Sequence, residues 1–308
     1  MRVVACGICG SDLHMYRGDH PMLRPPLVMG HELVGRVVER GPGVRQLGDG
    51  QRVVVMAGRG CGACAACQAG QFNWCEALQV IGGHLPGGLA EEIVLPEDQF
   101  IVIPDSIPDE QAVLIEVAAV ALHSIDRGGP VVGRVCLVLG AGPVGLVLIK
   151  VLKAVGAGPV VVTEISSVRR QLAAACGADL VIEPASEARV RQVFSGGLDV
   201  AYECAGREES LRQALRLTRR GGTVVLVAIF PEHCTLPMTH IQRAERSLVG
   251  VQMYQRADFE RIIHLLETRQ LDLSSIVTNE VPLAQAPDAF RLLSSPDVAA
   301  GKILVRMT

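Results

Sequence analysis

Val135-Cys136-Leu137-Val138-Leu139, running into Gly140-Ala141-Gly142-Pro143-Val144-Gly145 and then an apolar run to residue 155, is the stretch on which the fold turns. Gly140 permits a tight turn after a strand, Gly142 lets the backbone approach a pyrophosphate, and Gly145 lets the next helix sit close on that strand. The helix, entered through Pro143 and Val144, then presents its N-terminus to the anion. Glycines at this spacing say little alone. They gain meaning from the strand before, the helix after, and an acid about twenty residues on, Glu164, at the end of the next apolar run. Glu164 can accept hydrogen bonds from both hydroxyls of an adenosine ribose and would repel a 2′-phosphate, which favours NAD over NADP. The competing reading of Glu164 is a solvated acid starting a loop. Arg169, five residues later, either contacts the adenosine end or is plain helix surface.

Downstream of this turn the chain alternates strand and amphipathic helix: a strand at 160–164, a helix to Cys176, then strands at 180–182, 199–203, 223–228 and 247–251. That alternation predicts a doubly wound parallel sheet over residues 132–252, and an α/β fold class. Upstream, residues 1–131 are dense in Gly, Pro and short Val/Ile runs at 32–39, 52–56, 92–95 and 99–103, bounded by turn pairs such as Gly41-Pro42 and Asp49-Gly50. They read as short antiparallel strands in a β-rich unit. The tail, 253–308, carries a helix near 258–268 and a strand-like 302–306 that is expected to pair back onto the first unit.

Composition narrows the function. With twenty-nine Lys plus Arg against thirty-two Asp plus Glu, the net charge of −3 in 308 residues gives no diffuse positive field, so nucleic acid is a poor partner. Mean hydropathy is high, +0.33. The longest apolar region, 131–162, is nevertheless broken by Arg134, Lys150, Lys153 and glycines, so no membrane span is expected. The N-terminus shows no signal-peptide pattern, which makes the cytoplasm the expected location. In a reducing compartment ten cysteines point to metal or redox chemistry before disulfides.

Two clusters fit metal. Cys61-Gly-Ala-Cys64-Ala-Ala-Cys67, with Cys75 after seven residues, puts four thiols within fifteen positions. Zn²⁺ prefers four such ligands in a closed tetrahedron, and a closed site leaves no position for substrate, so its role is to fold the lobe at about 58–76. The second set is dispersed: Cys9, the pair His31-Glu32 after Gly30, and Glu116. One sulfur, one imidazole and one carboxylate make the three-ligand pattern of a catalytic zinc with an open fourth position. Each residue also has a plain reading, His31 as a turn histidine and Glu116 as a salt-bridged buried acid. Cys6-Gly-Ile-Cys9 matches a redox C-x-x-C, though no βαβ pattern surrounds it.

Taken together, Gly7-Ile8-Cys9-Gly10-Ser11-Asp12-Leu13-His14, Gly30-His31-Glu32, the four-cysteine lobe, Ile115-Glu116, the glycine turn, Glu203-Cys204-Ala205-Gly206 and Gly301-Lys302 resemble the zinc-dependent medium-chain dehydrogenase/reductase family. The matches occur in the family's order and span nearly the whole chain. The resemblance implies a GroES-like catalytic domain closed by the tail, a Rossmann domain between, two zinc ions per chain, NAD as cofactor, and dimers or tetramers. It also implies roles. Zinc on Cys9, His31 and either Glu116 or Glu32 activates a substrate hydroxyl, and hydride passes to nicotinamide. Ser11 takes the hydroxyl proton and relays it to His14, while Asp12 accepts a hydrogen bond from His31; the alternative for His14 is a surface histidine without a role. The stretch from Val80 to Glu91 is similar to the polyol and sugar-acid branch, so a secondary alcohol on a polyol, sugar or sugar acid is expected. L-threonine or a simple secondary alcohol is the alternative substrate, and an inactive, truncated NAD-binding member is the alternative of another class. A zinc-free quinone reductase relative would lack Cys9, His31 and the lobe. Two departures stand out: Met1 falls where an upstream strand of the family should be ending, so a longer natural product is expected, and Val117 replaces the Pro usual in polyol-type relatives.

Overall fold

The computed structural model describes residues 1–20, 23, 25–294 and 300–307, and divides into two compact units. One comprises residues 1–119 and 253–308, the other 120–252, the division falling inside the helix Ile115–Gly128.

The second unit is a six-stranded sheet, every pairing parallel, in the order Ser247–Gly250, Thr218–Leu226, Leu198–Glu203, Cys136–Leu139, Val160–Thr163, Leu180–Ile182. Helices cover such sheets on both faces, which is why Cys136–Leu139 and Val160–Thr163 are buried at every position and carry no polar alternation. The central strand Cys136–Leu139 has Val160–Thr163 on one side and Leu198–Glu203 on the other. Its C-terminal end is therefore the point where the strand order reverses, the crevice in which doubly wound folds bind ligands.

The first unit holds a six-stranded mixed sheet in the order Val277–Pro282, Lys302–Arg306, Arg2–Gly7, Glu32–Arg36, Arg52–Val55, Phe100–Val102. All neighbours are antiparallel except the first pair. The tail strand lies beside Arg2–Gly7, with Cys6 opposite Val305 and Gly7 opposite Leu304. Gly7 is also opposite Glu32, so residues from the start, the thirties and the end of the chain meet at one edge of the core.

Two expectations need correction. The stretch 92–95 is not a strand: it contributes one isolated bridge, Arg2 to Glu92, and Ile93 N–H donates to Met1 O at 3.0 Å before Pro96 ends the approach. The strand expected at 32–39 stops at Arg36, where Val37 turns away and bonds Gln51 and Gly50 instead. The strand Val277–Pro282 and the helix Ala286–Ser294 were not apparent in the sequence. Among the described residues no helix is long and apolar enough to cross a membrane.

Candidate active site

The loop between the first strand and the helix Gly10–Arg17 carries Cys9 at the helix cap. Asp12, fully buried, accepts the Cys9 N–H on one oxygen at 2.9 Å and the Gly30 N–H on the other at 3.3 Å. It therefore ties the loop holding Cys9 to the residue before His31. Gly30 has φ +94, and a Cβ there would lie 2.7 Å from Cys6 Sγ, so glycine is required for His31 to reach this position. The ligand atoms of Cys9, His31 and Glu32 all lie within 4.8 Å of one another.

The electrostatics suit an ion. Burial opposes charge on His31, but the Asp12 carboxylate and the Cys9 sulfur outweigh it and hold the imidazole well above its ordinary value. Burial raises Asp12 despite the nearby imidazole. His31 Nδ1 stands 3.6 Å from Asp12 Oδ1, an ion-pair separation rather than a hydrogen bond.

The two acids differ in what holds them. Both Glu32 oxygens accept from Lys302 Nζ, at 2.7 and 2.6 Å, and the same ammonium donates to Ile8 O at 3.1 Å. All three Lys302 protons are thereby used. Glu116, buried in the first turn of Ile115–Gly128, is pushed up to about 7 by burial. Its carboxyl interacts electrostatically with His31, Glu32, Tyr254 and Lys302.

Cys61, Cys64, Cys67 and Cys75 form the second cluster, with their sulfurs within 4.8 Å of one another. The amides of Ala63 and Cys64 lower the Cys61 thiol to about 6. Amide donors aimed at sulfur suit thiolates, the form that holds Zn²⁺.

In the second unit, the turn after Cys136–Leu139 borders a cavity of about 830 Å³, lined by Gly140, Gly142, Glu164, Arg169, Ala205 and Gln213 among others. Gly140 has φ +94, and a Cβ on Gly145 would lie 2.0 Å from Gly140 O, whereas one on Gly142 would meet nothing within 4 Å. The first and last glycines are thus fixed by packing, and the middle one leaves its backbone open toward the cavity. Pro143 starts the helix Pro143–Ala154 and Val144 follows it. Glu164 is buried; its oxygens accept Ala141 N–H at 2.7 Å and Ser166 N–H at 2.9 Å. Arg169 lines the cavity, and its Nε is buried without a partner.

The structure thus brings together Cys9, Asp12, His31 and Glu32, with Glu116 within electrostatic reach, and separately the four lobe cysteines. Ser11 sits half-buried in the first helical turn beside Cys9. His14 lies apart, exposed near the helix end, with Nδ1 2.8 Å from Asp19 Oδ1. Cys6 is a buried free thiol packed beneath Gly30. Sequence reasoning missed Tyr254, and it noted Lys302 without a role. A lysine at the head of the apolar run Ile303-Leu304-Val305 was a usable signal, because a buried ammonium requires an acid.

Residues 1–105 match the family model described as the alcohol dehydrogenase GroES-like domain, and residues 143–268 match the zinc-binding dehydrogenases. The chain is 35% identical over 291 residues to L-threonine 3-dehydrogenase of Pyrococcus horikoshii, covering 91% of this chain and 83% of that protein. It is 33% identical over 299 residues to sorbitol dehydrogenase of Bacillus subtilis, covering 94% and 84%. A solved structure of an alcohol dehydrogenase from Escherichia coli CFT073, complexed with NADH, matches with a TM-score of 0.92 at 29% identity, over 99% of this chain and 90% of that one.

Proposed function

The chain belongs to the zinc-dependent medium-chain dehydrogenase/reductase family, and from that premise we propose that it oxidises a secondary alcohol of a polyol, sugar or sugar acid with NAD. The observation that carries the reading is the convergence of Cys9, His31 and Glu32 on one point, with the buried Glu116 within electrostatic reach. Sulfur, imidazole and carboxylate in a three-ligand set suit a catalytic zinc, and the closed four-sulfur lobe suits a structural one. When bound, zinc supplies a Lewis acid that lowers the pKa of a substrate hydroxyl, and NAD accepts the hydride.

We assign Cys9, His31 and Glu116 as the direct ligands. Glu32 lies nearest Cys9 and His31, but both its oxygens already accept from Lys302, so an ion bound there would share the carboxylate with an ammonium. Among the described residues Glu116 forms no ion pair with a Lys or Arg, and a metal ion would supply a facing charge. Glu32 then acts at one remove, through solvent, with its charge held by Lys302.

Asp12 restrains His31 by charge and holds Cys9 through its amide. Ser11 accepts the substrate hydroxyl proton and His14, exposed at the helix end, delivers it to solvent. Gly140, Gly142 and the first turn with Pro143, Val144 and Gly145 cradle the pyrophosphate. Glu164 carries a charge that excludes a 2′-phosphate, and the unpartnered Arg169 Nε is a donor for the adenosine end. L-threonine is the second substrate reading, favoured by the similarity to the Pyrococcus protein. A panel of polyols, sugar acids and L-threonine, read at the NADH absorbance, tests the reading; turnover of none of them would overturn it.

A further inference from the structure

Glu203, fully buried at the end of the strand Leu198–Glu203, has no Lys or Arg paired with it among the described residues. A buried carboxyl without a cation has to be satisfied by hydrogen-bond donors. Three converge on it. Ala205 N–H donates to Oε1 and Gly206 N–H to Oε2, each at 3.0 Å, and the Ser210 hydroxyl meets Oε1 at 2.5 Å. The backbone oxygen of Glu203 accepts Val227 N–H and Ala228 N–H, both at 3.0 Å. One residue thus gathers the turn 204–206, the first turn of the helix Glu208–Leu217 and the exit of the strand Thr218–Leu226.

The turn it holds is one wall of the cavity of about 830 Å³: Cys204, Ala205, Arg207 and Ser210 line it together with Gly140 and Gly142. Cys204 N–H donates to Leu139 O at 2.9 Å, and a Cβ on Gly140 would lie 3.1 Å from Ala205 Cβ, so the turn packs directly on the first glycine. Gly206 has φ +66, and a Cβ there would lie 2.5 Å from Ile229 O, which fixes the turn from its other side. The amides of Cys204, Ala205 and Gly206 all face inward, so what the turn's backbone donors serve is shape. Glu164, just past the strand on the other side of Cys136–Leu139, plays the matching part, its oxygens holding Ala141 N–H and Ser166 N–H.

We propose that Glu203 is a positioning residue for the dinucleotide: its carboxyl holds the turn 204–206 against Gly140, so that the crevice keeps the shape that receives the cofactor. The inference rests on the reading of this cavity as the NAD site. A carboxylate offers two acceptor oxygens, whereas glutamine replaces one of them with a donor, so in Glu203→Gln an N–H of the turn faces another N–H. A turn that is in place only part of the time lowers apparent affinity by the fraction of molecules that are competent.

The test is NADH binding to the full-length, zinc-loaded protein, read by NADH fluorescence well below the unfolding temperature, with zinc content and melting temperature measured on the same samples. Glu203→Gln should raise the NADH Kd roughly tenfold, the effect of losing one buried hydrogen bond to a charged acceptor, and keep the zinc content of the parent. A lower melting temperature with a Kd within about twofold of the parent would make Glu203 a purely structural residue and overturn the proposal. Loss of zinc alongside NADH binding would mean general loosening and would overturn it too. If the parent itself binds no NADH, the reading of the cavity fails; if the parent binds and Glu203→Gln binds as tightly, only the role of Glu203 fails. Should Glu203→Gln not fold, Ser210→Ala decides, because it removes one of the three donors and leaves the carboxyl and both amides in place. Its NADH Kd should rise roughly fivefold, and an unchanged Kd would overturn the proposal.

Discussion

Lys302 Nζ lies 2.7 and 2.6 Å from the two oxygens of Glu32, and both side chains are shut away from solvent. The pair joins the tail strand to the strand that begins just after His31. Removing only the cation leaves a buried carboxylate without a partner, so Lys302→Met should cost about 3–5 kcal/mol in denaturant unfolding. Lys302→Met combined with Glu32→Gln should recover much of that loss, because no uncompensated charge remains. A single variant within about 1 kcal/mol of the parent would mean that the pair is solvated in solution.

Cys61→Ser should lose one zinc and unfold at lower temperature, while the folded fraction keeps its turnover per chain. A three-sulfur remnant binds zinc less well, and what it loses is folding energy. Metal analysis and a thermal melt followed by circular dichroism check this. Unchanged melting with full metal loss would show that the lobe folds without its ion.

Glu116 gives a pH dependence of definite sign. Burial raises its carboxyl from 4.5 to about 7, so in this window the folded, metal-free chain holds a proton that the unfolded chain releases. The stability it contributes is full below 4.5 and is lost as pH rises to about 7. Relative to Glu116→Gln, the metal-free parent should lose on the order of 3 kcal/mol across that range. Zinc affinity of the parent runs the other way, falling as pH drops, because protons on Glu116 and His31 compete with the ion. Denaturant midpoints and zinc titrations at several pH values separate the two effects.

Glu164→Ser should narrow the preference for NAD over NADP by at least tenfold, about 1.4 kcal/mol, since the charge facing a 2′-phosphate is gone. It should also weaken NAD itself, because Ala141 and Ser166 lose their acceptor and the turn loosens. Cofactor KM values for both dinucleotides read this out, and an unchanged ratio would assign Glu164 to loop structure alone.

What the sequence disclosed was local. The glycine turn and the four-cysteine lobe each lie within a short window, and there spacing alone constrains geometry. Cys9, His31 and Glu116 offered suitable ligand types but no spacing to unite them, because it is the pairing of distant strands, Gly7 opposite Glu32, that brings the first two together. The Lys302–Glu32 contact spans 270 positions, and Tyr254 reaches Ala57 across 197; neither leaves a periodic trace in the chain. The run 92–95 looked like a strand because it is Val/Ile-rich, yet its neighbours use two backbone bonds there and no more, and Val94 is almost fully exposed. Conversely, the apolar residues 112–122 announced burial without saying helix, since short apolar runs fit either period.

Zinc content and alcohol-dependent NADH formation of Cys9→Ser, measured on one preparation, test the central claim most directly. The account predicts one zinc fewer than the parent, retained NADH binding, and no turnover. Parent-level turnover with the second zinc absent would contradict it.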